Sequence, residues 1–139
     1  MITLDTSQSS IITHFLARTQ NPDMFPAMDE IGLRFIRRVR LGFRSSTDPF
    51  GSQWEPLKVR TGQPLLDTGR LQKSFSHFAT NDYVRIGSNL VYAATHNEGR
   101  DKIPKRQIIP GDEIPKDWEN EALMVIEQHI QELADRAVS

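Results

Sequence analysis

PLLDTGRLQKSFSHFATNDYVRIGSNLVYAATHNEG, residues 64–99, is the most patterned stretch of the chain, and the fold depends on how it is read. A turn at Asp67-Thr68-Gly69 leads into Leu71, Phe75 and Phe78, and polar Thr80-Asn81-Asp82 breaks the run. Tyr83 to Gly87 alternates and stops at Ser88-Asn89, and a second apolar run, Leu90 to Ala94, ends at His96-Asn97-Glu98-Gly99. Two runs rich in β-branched and aromatic residues on either side of a Gly-Ser-Asn turn predict a β-hairpin of 83–87 with 90–94. A preceding strand is expected over about 72–80, unless Thr68 or Asp67 caps one helical turn through Leu71.

Helices and loops surround this small sheet. Pro26 to Phe43 predicts a helix: Pro26 suits a first turn, and Met28, Ile31, Phe35, Ile36, Val39 and Phe43 fall on one side at about 100° per residue. Arg34, Arg37, Arg38, Arg40 and Arg44 fall on the other side, as a solvated face or as a basic strip for a partner. Gly32 and Gly42 each lower helix propensity by roughly 1 kcal/mol relative to Ala. A final helix is expected over 116–136, where Trp118, Ala122, Val125, Ile126, His129 and Leu133 recur at helical spacing. Ser7 to Gln20 can form a short first helix that Asn21-Pro22 stops. Residues 44–66 read as a long loop rich in turn formers, with Asp48-Pro49-Phe50-Gly51 as a turn. Phe50 and Trp54 in that loop are costly to leave in water, so either they fold back onto the core or they wait for a neighbouring subunit. Residues 100–116 are Pro-rich and charged, and Gln107-Ile108-Ile109 is a candidate edge strand closed by Pro110-Gly111. The expected architecture is α+β: a small, mostly antiparallel sheet packed against two longer amphipathic helices, in a single domain over 1–139.

With 139 residues, 37% of them hydrophobic and 25% charged, the composition suits a globular protein. The net charge of −1 gives no overall field toward nucleic acid or an acidic membrane. No cysteine is present, which excludes disulfides, thiolate metal sites and a cysteine nucleophile. No apolar run approaches the ~20 residues that span a bilayer, and no secretion signal is visible, so action in the compartment of synthesis is expected.

Catalytic patterns are scarce. His14, His77, His96 and His129 form no compact ligand motif, and His129 lies on an apolar stripe. His96 with Glu98 is the nearest approach to an acid–base pair; on a strand the two would share a face. No GxSxG elbow and no GxxxxGK[ST] loop occurs. A nucleic-acid-binding module is the competing class. It would use the arginine face of helix 26–43 and the 44–66 loop, where Arg44, Lys58 and Arg60 interleave with Phe50 and Trp54, extended by Arg70 and Lys73.

DPFGSQWEPLK (48–58), LLDTGRLQKSFS (65–76), VRIGSNLVYAATHNEG (84–99) and IPKRQII (103–109) together resemble the virion morphogenesis or tail completion family of Mu-like and P2-like tailed phages. This family is related more loosely to siphophage neck and tail completion proteins. Asp48, Pro49, Gly51, Trp54, Pro56, Leu57, Lys58, Thr68, Gly69, Leu71, Ser74, Val84, Ile86, Gly87, Asn89, Tyr92, Ala93, His96 and Gly99 fall on the family pattern in order. The sequence departs from it at HNEG, which lacks the apolar residue often found before the glycine, and at IPKRQIIPG, where lysine and glutamine replace a small residue and proline.

The resemblance covers residues 26–139 as a tail completion-like domain, with 1–25 as an extension. It implies a structural virion protein, not an enzyme, without catalytic residues, cofactor or metal. It implies a ring, hexameric by analogy with tail symmetry, at the neck or the head-proximal end of the tail, made in the host bacterial cytoplasm. The expected partners are other copies of the chain, other phage neck and tail proteins and DNA passing through the ring channel, with no membrane. Phe50, Trp54, Leu57 and Lys58 before the sheet, and Ile103, Arg106, Ile108 and Ile109 after it, are expected to touch neighbouring subunits. Gly69, Gly87 and Gly99 are expected to make backbone turns.

Overall fold

The computed structural model describes residues 2–5, 22–55, 69–99 and 105–137. In chain order the elements are β1 (Ile2–Asp5), α1 (Phe25–Ser45), α2 (Arg70–Lys73, a single turn), β2 (Phe75–Ala79), β3 (Tyr83–Ser88), α3 (Val91–Glu98) and α4 (Lys116–Ala137). The fold is α+β. The antiparallel sheet has the order β1-β3-β2, and α1 packs against β2 and β3 on one side and α4 on the other. The expected short helix at 7–20 lies outside the described residues.

α1 and α4 form where the apolar spacing places them. In α1, Pro26 occupies the first turn, where its missing N–H costs nothing. The helix ends when Ser46 turns left-handed (φ 57°), and its N–H and that of Thr47 both donate to the Gly42 carbonyl. Met28, Ile31, Phe35, Ile36, Val39 and Phe43 are all buried. They meet Phe75, Val84 and Ile86 of the sheet and Trp118, Ala122, Val125 and Ile126 of α4 in one core cluster. Phe35 lies 5.1 Å from Trp118, ring centre to ring centre, and Phe43 lies 6.0 Å from Phe75. Gly32 is the contact point for the sheet: a Cβ there would stand 2.9 Å from His77 Cβ and nearer still to the imidazole. The missing side chain lets His77 lie on the helix and reach Asp29 Oδ1 at 2.8 Å.

The hairpin differs from the one expected. β3 pairs with β2, Phe75 opposite Ser88 and Ala79 opposite Val84, across the polar Thr80-Asn81-Asp82 turn. Thr80 Oγ1 accepts the N–H groups of Asp82 and Tyr83 there, both at 3.2 Å. The run Leu90 to Ala94 is not the second strand; it opens α3. Both edges of β3 are already occupied, by β2 and by β1, with Ile2 opposite Ile86, so no ladder position remains for it. Extended Leu90 donates its N–H to Ser88 Oγ, and two alanines, the best helix formers, follow in α3. Gln107–Ile109 is likewise not a strand: the N–H groups of Ile108 and Ile109 are taken by the side chain of Asn97 on α3 instead of by a sheet edge. Gly87, expected at a turn, lies inside β3 and is buried there. Gly69 and Gly99 have positive φ (61° and 78°), and a Cβ on Gly99 would stand 2.9 Å from the Lys105 nitrogen.

Candidate assembly surfaces

Residues 46–55 form a tight, self-bonded loop. Asp48 Oδ1 accepts the N–H groups of Phe50 and Ser52, each at 2.9 Å, in the manner of an Asx turn. Asp48 N–H donates to the Ser52 carbonyl, Trp54 N–H donates to that of Ser46, and Thr47 bridges to Gln53. Gly51 at φ 92° supplies the left-handed corner. The turn gives its two aromatics different surroundings. Phe50 is 51% exposed at the tip; Trp54 is 6% exposed and lies edge-on to Phe43 at 5.6 Å.

Trp54 is held by the segment expected to form an edge strand. Its Nε1–H donates to the Gln107 carbonyl at 2.8 Å. Arg106, itself buried, donates from Nε to the Glu55 carbonyl at 3.0 Å, and its N–H donates to the His96 carbonyl at 2.8 Å. Asn97 Oδ1 accepts the N–H groups of Ile108 (2.7 Å) and Ile109 (3.1 Å). One amide side chain on α3 thus does for two consecutive residues what a strand partner would have done, and it satisfies N–H groups that burial would otherwise leave unpaired. Of the expected neighbour-touching residues, Trp54, Arg106, Ile108 and Ile109 come together in this clasp, with their side chains inside the protomer. Phe50 alone of the described ones projects outward. Leu57, Lys58 and Ile103 lie outside the described residues, as do Lys58 and Arg60 of the nucleic-acid reading. Asn97 had no sequence signal beyond its place in a turn-like tetrapeptide.

His96 shares the clasp through its backbone. Burial, and then the nearby Arg106 guanidinium, hold its imidazole pKa below the usual histidine value. Glu98 is two residues on along a helix rather than a strand, about 200° around it, so the two side chains do not form the acid–base pair that a strand would have made. Among the described residues no group of three His, Cys, Asp or Glu side chains could hold a metal ion, and no helix is long and apolar enough to cross a membrane.

The arginine face of α1 divides in two. Arg38 binds Glu121 (2.8 Å) and Asp117 (3.0 Å) of α4, and Arg34 binds Glu30 (3.0 Å) and reaches Glu121 (3.6 Å). Pairs of this exposure contribute about 0.2–1 kcal/mol each, enough to set the alignment of the two helices rather than to hold them together. The signal for this seam was present as Arg34/Arg38 and Asp117/Glu121, each four apart. Arg37 and Arg40 remain exposed, with no ion pair among the described residues. On the outer side of the sheet, exposed Phe78 and Arg85 flank Tyr83, with the guanidinium 4.5 Å from the Tyr83 ring centre. An open cleft of about 500 Å³ runs between the end of α1, the Phe50 loop and the start of α4.

A family model described as the phage virion morphogenesis family matches residues 5–131, from the end of β1 into the last turns of α4. A Haemophilus influenzae protein named Mu-like prophage FluMu G protein 2 is 31% identical over 101 residues, which is 71% of either chain. No solved structure matches the chain.

Proposed function

The chain belongs to the phage virion morphogenesis family, and on that premise we propose that it is a tail completion or neck component that forms a hexameric ring and helps join the tail to the head. The role is mechanical, without turnover. The observation that carries the reading is the extent of the family match, which takes in the clasp, β2 and β3 of the sheet, α1 and most of α4 together. The clasp also suits such a part. It holds the Phe50 turn on a fixed base, so that an exposed aromatic is presented in one position, and a protomer in a ring needs such fixed surfaces for its neighbours.

The test is genetic and structural. Removing the gene from a phage that carries it should leave separate heads and tails in lysates viewed by electron microscopy, and the chain should be recovered with purified particles at a few copies each, at their neck. Joined, infectious particles without the chain would reject the proposal. Arg37 and Arg40 favour a second reading, a nucleic-acid-binding module; salt-dependent DNA binding by an isolated monomer, with head–tail joining intact in its absence, would support that reading instead.

A further inference from the structure

α1 and α4 each bury one face and present another. On α1 the outward face carries Arg37 and Arg40 between Leu33 (41% exposed) and Leu41 (57% exposed). These four residues span about 12 Å of helix at 1.5 Å per residue. On α4 the face turned away from the Trp118, Ala122, Val125 and Ile126 stripe carries Glu127 and Asp135, with Met124 56% exposed beside them. They span about 16 Å of helix. Neither Arg37 nor Arg40 has an acidic partner among the described residues, and neither Glu127 nor Asp135 has a basic one. The two strips are similar in length, opposite in charge, and each is edged by apolar side chains that water covers in the lone chain. Inside one copy, Arg34 and Arg38 of α1 already join Asp117 and Glu121 of α4 by the same chemistry.

We propose that neighbouring copies of this chain meet through these strips, the Arg37–Arg40 face of α1 on one copy against the Glu127–Asp135 face of α4 on the next. The inference rests on the ring reading above and names its contact. Because the two faces are different surfaces, the contact is heterologous: each copy uses α1 toward one neighbour and α4 toward the other, which is what closes a ring rather than a dimer. Leu33, Leu41 and Met124 supply apolar area, and the charges set partner and register.

Charge exchange tests it. The oligomeric state of the full chain would be measured by sedimentation and by cross-linking in assembled particles, with circular dichroism reporting the fold of every variant. Arg37→Glu with Arg40→Glu, and separately Glu127→Arg with Asp135→Arg, should each weaken ring association roughly a hundredfold or more, because like charges then face each other. The two defective variants mixed one to one should recover the ring, since each reversed face now finds its opposite only on the other variant. The variant carrying all four changes should recover it alone. Rings of the unaltered chain that survive both reversals would overturn this contact and leave the ring reading standing. Loss of the ring with no recovery in the mixture would overturn the charge pairing. A chain that is monomeric in solution and in particles would remove the ring reading and this contact with it. Duplex DNA binding that disappears with Arg37→Glu and Arg40→Glu while the ring persists would assign the strip to nucleic acid and overturn the proposal.

Discussion

Phe50 and Trp54 stand four residues apart in one loop and meet opposite surroundings. Trp54 is enclosed, with its indole N–H donated to Gln107 and its ring edge-on to Phe43; Phe50 is carried into solvent on an Asx turn. The difference comes from what lies opposite each. Trp54 meets α1's last buried aromatic and a backbone carbonyl placed by Asn97, so both its apolar body and its polar atom are accommodated. Phe50 lines the open cleft. One aromatic therefore supports the loop and the other is displayed by it, and the two roles separate by experiment.

The largest effect is expected for Trp54→Ala, which removes the ring and leaves the Gln107 carbonyl without its donor. It should cost about 3–5 kcal/mol of stability in a denaturant melt. Phe50→Ala in the same assay should stay within about 0.5 kcal/mol of the unaltered chain, and any defect it causes should appear in particle assembly. Equal losses from the two substitutions would break the contrast. Gly32→Ala probes the packing of α1 on the sheet: the added methyl meets His77 from its Cβ to its ring and should cost about 1–3 kcal/mol, and His77→Ala in the same chain should restore only part of it, because the Cβ contact at 2.9 Å remains. Asn97→Ala attacks the clasp without touching either aromatic. Two N–H groups lose their acceptor, and a cost of about 1–3 kcal/mol is expected, with faster hydrogen exchange at Ile108 and Ile109 than elsewhere in the chain. The smallest effect is with pH. His96 has a folded-state pKa below its unfolded value of 6.5, so between those two values the unfolded chain binds more protons. Its contribution is complete above about pH 6.5 and falls as pH drops through the folded pKa. The melting temperature should decline over that window, and His96→Gln should flatten the decline.

How much of this was legible in the sequence follows from the range of the forces involved. α1 and α4 were legible because a stripe such as Ile31, Phe35, Val39 and Phe43 is a local pattern that only a helix satisfies. The Leu90–Ala94 run misled because Val91 and Tyr92 suit strands. What excluded a strand was the occupancy of both edges of β3, one of them by residues about 80 positions earlier in the chain. β1 is four residues long and carries no local sign of its partner. Trp54 could be read from its residue type either as folding back onto the core or as waiting for a neighbouring subunit, and the family resemblance put it with Ile108 and Ile109 at a subunit contact. Within the protomer all three are buried, and their placement depends on an asparagine side chain that bonds backbone, an interaction that residue type does not advertise. The division of the α1 arginines was half legible: spacing placed Arg34 and Arg38 opposite α4's acids only once the two helices were known to pack together.

The buried indoles have a practical consequence. The chain has two tryptophans, and they contact α1 at different heights: Trp118 at Phe35, in the seam with α4, and Trp54 at Phe43, in the clasp. Trp54→Phe and Trp118→Phe would each leave a single tryptophan on one side of that division. The emission of the first variant would follow separation of the helices, and that of the second would follow opening of the loop. The order in which these two parts loosen, in solution or as copies assemble, would then be readable as two colour shifts from otherwise unlabelled protein.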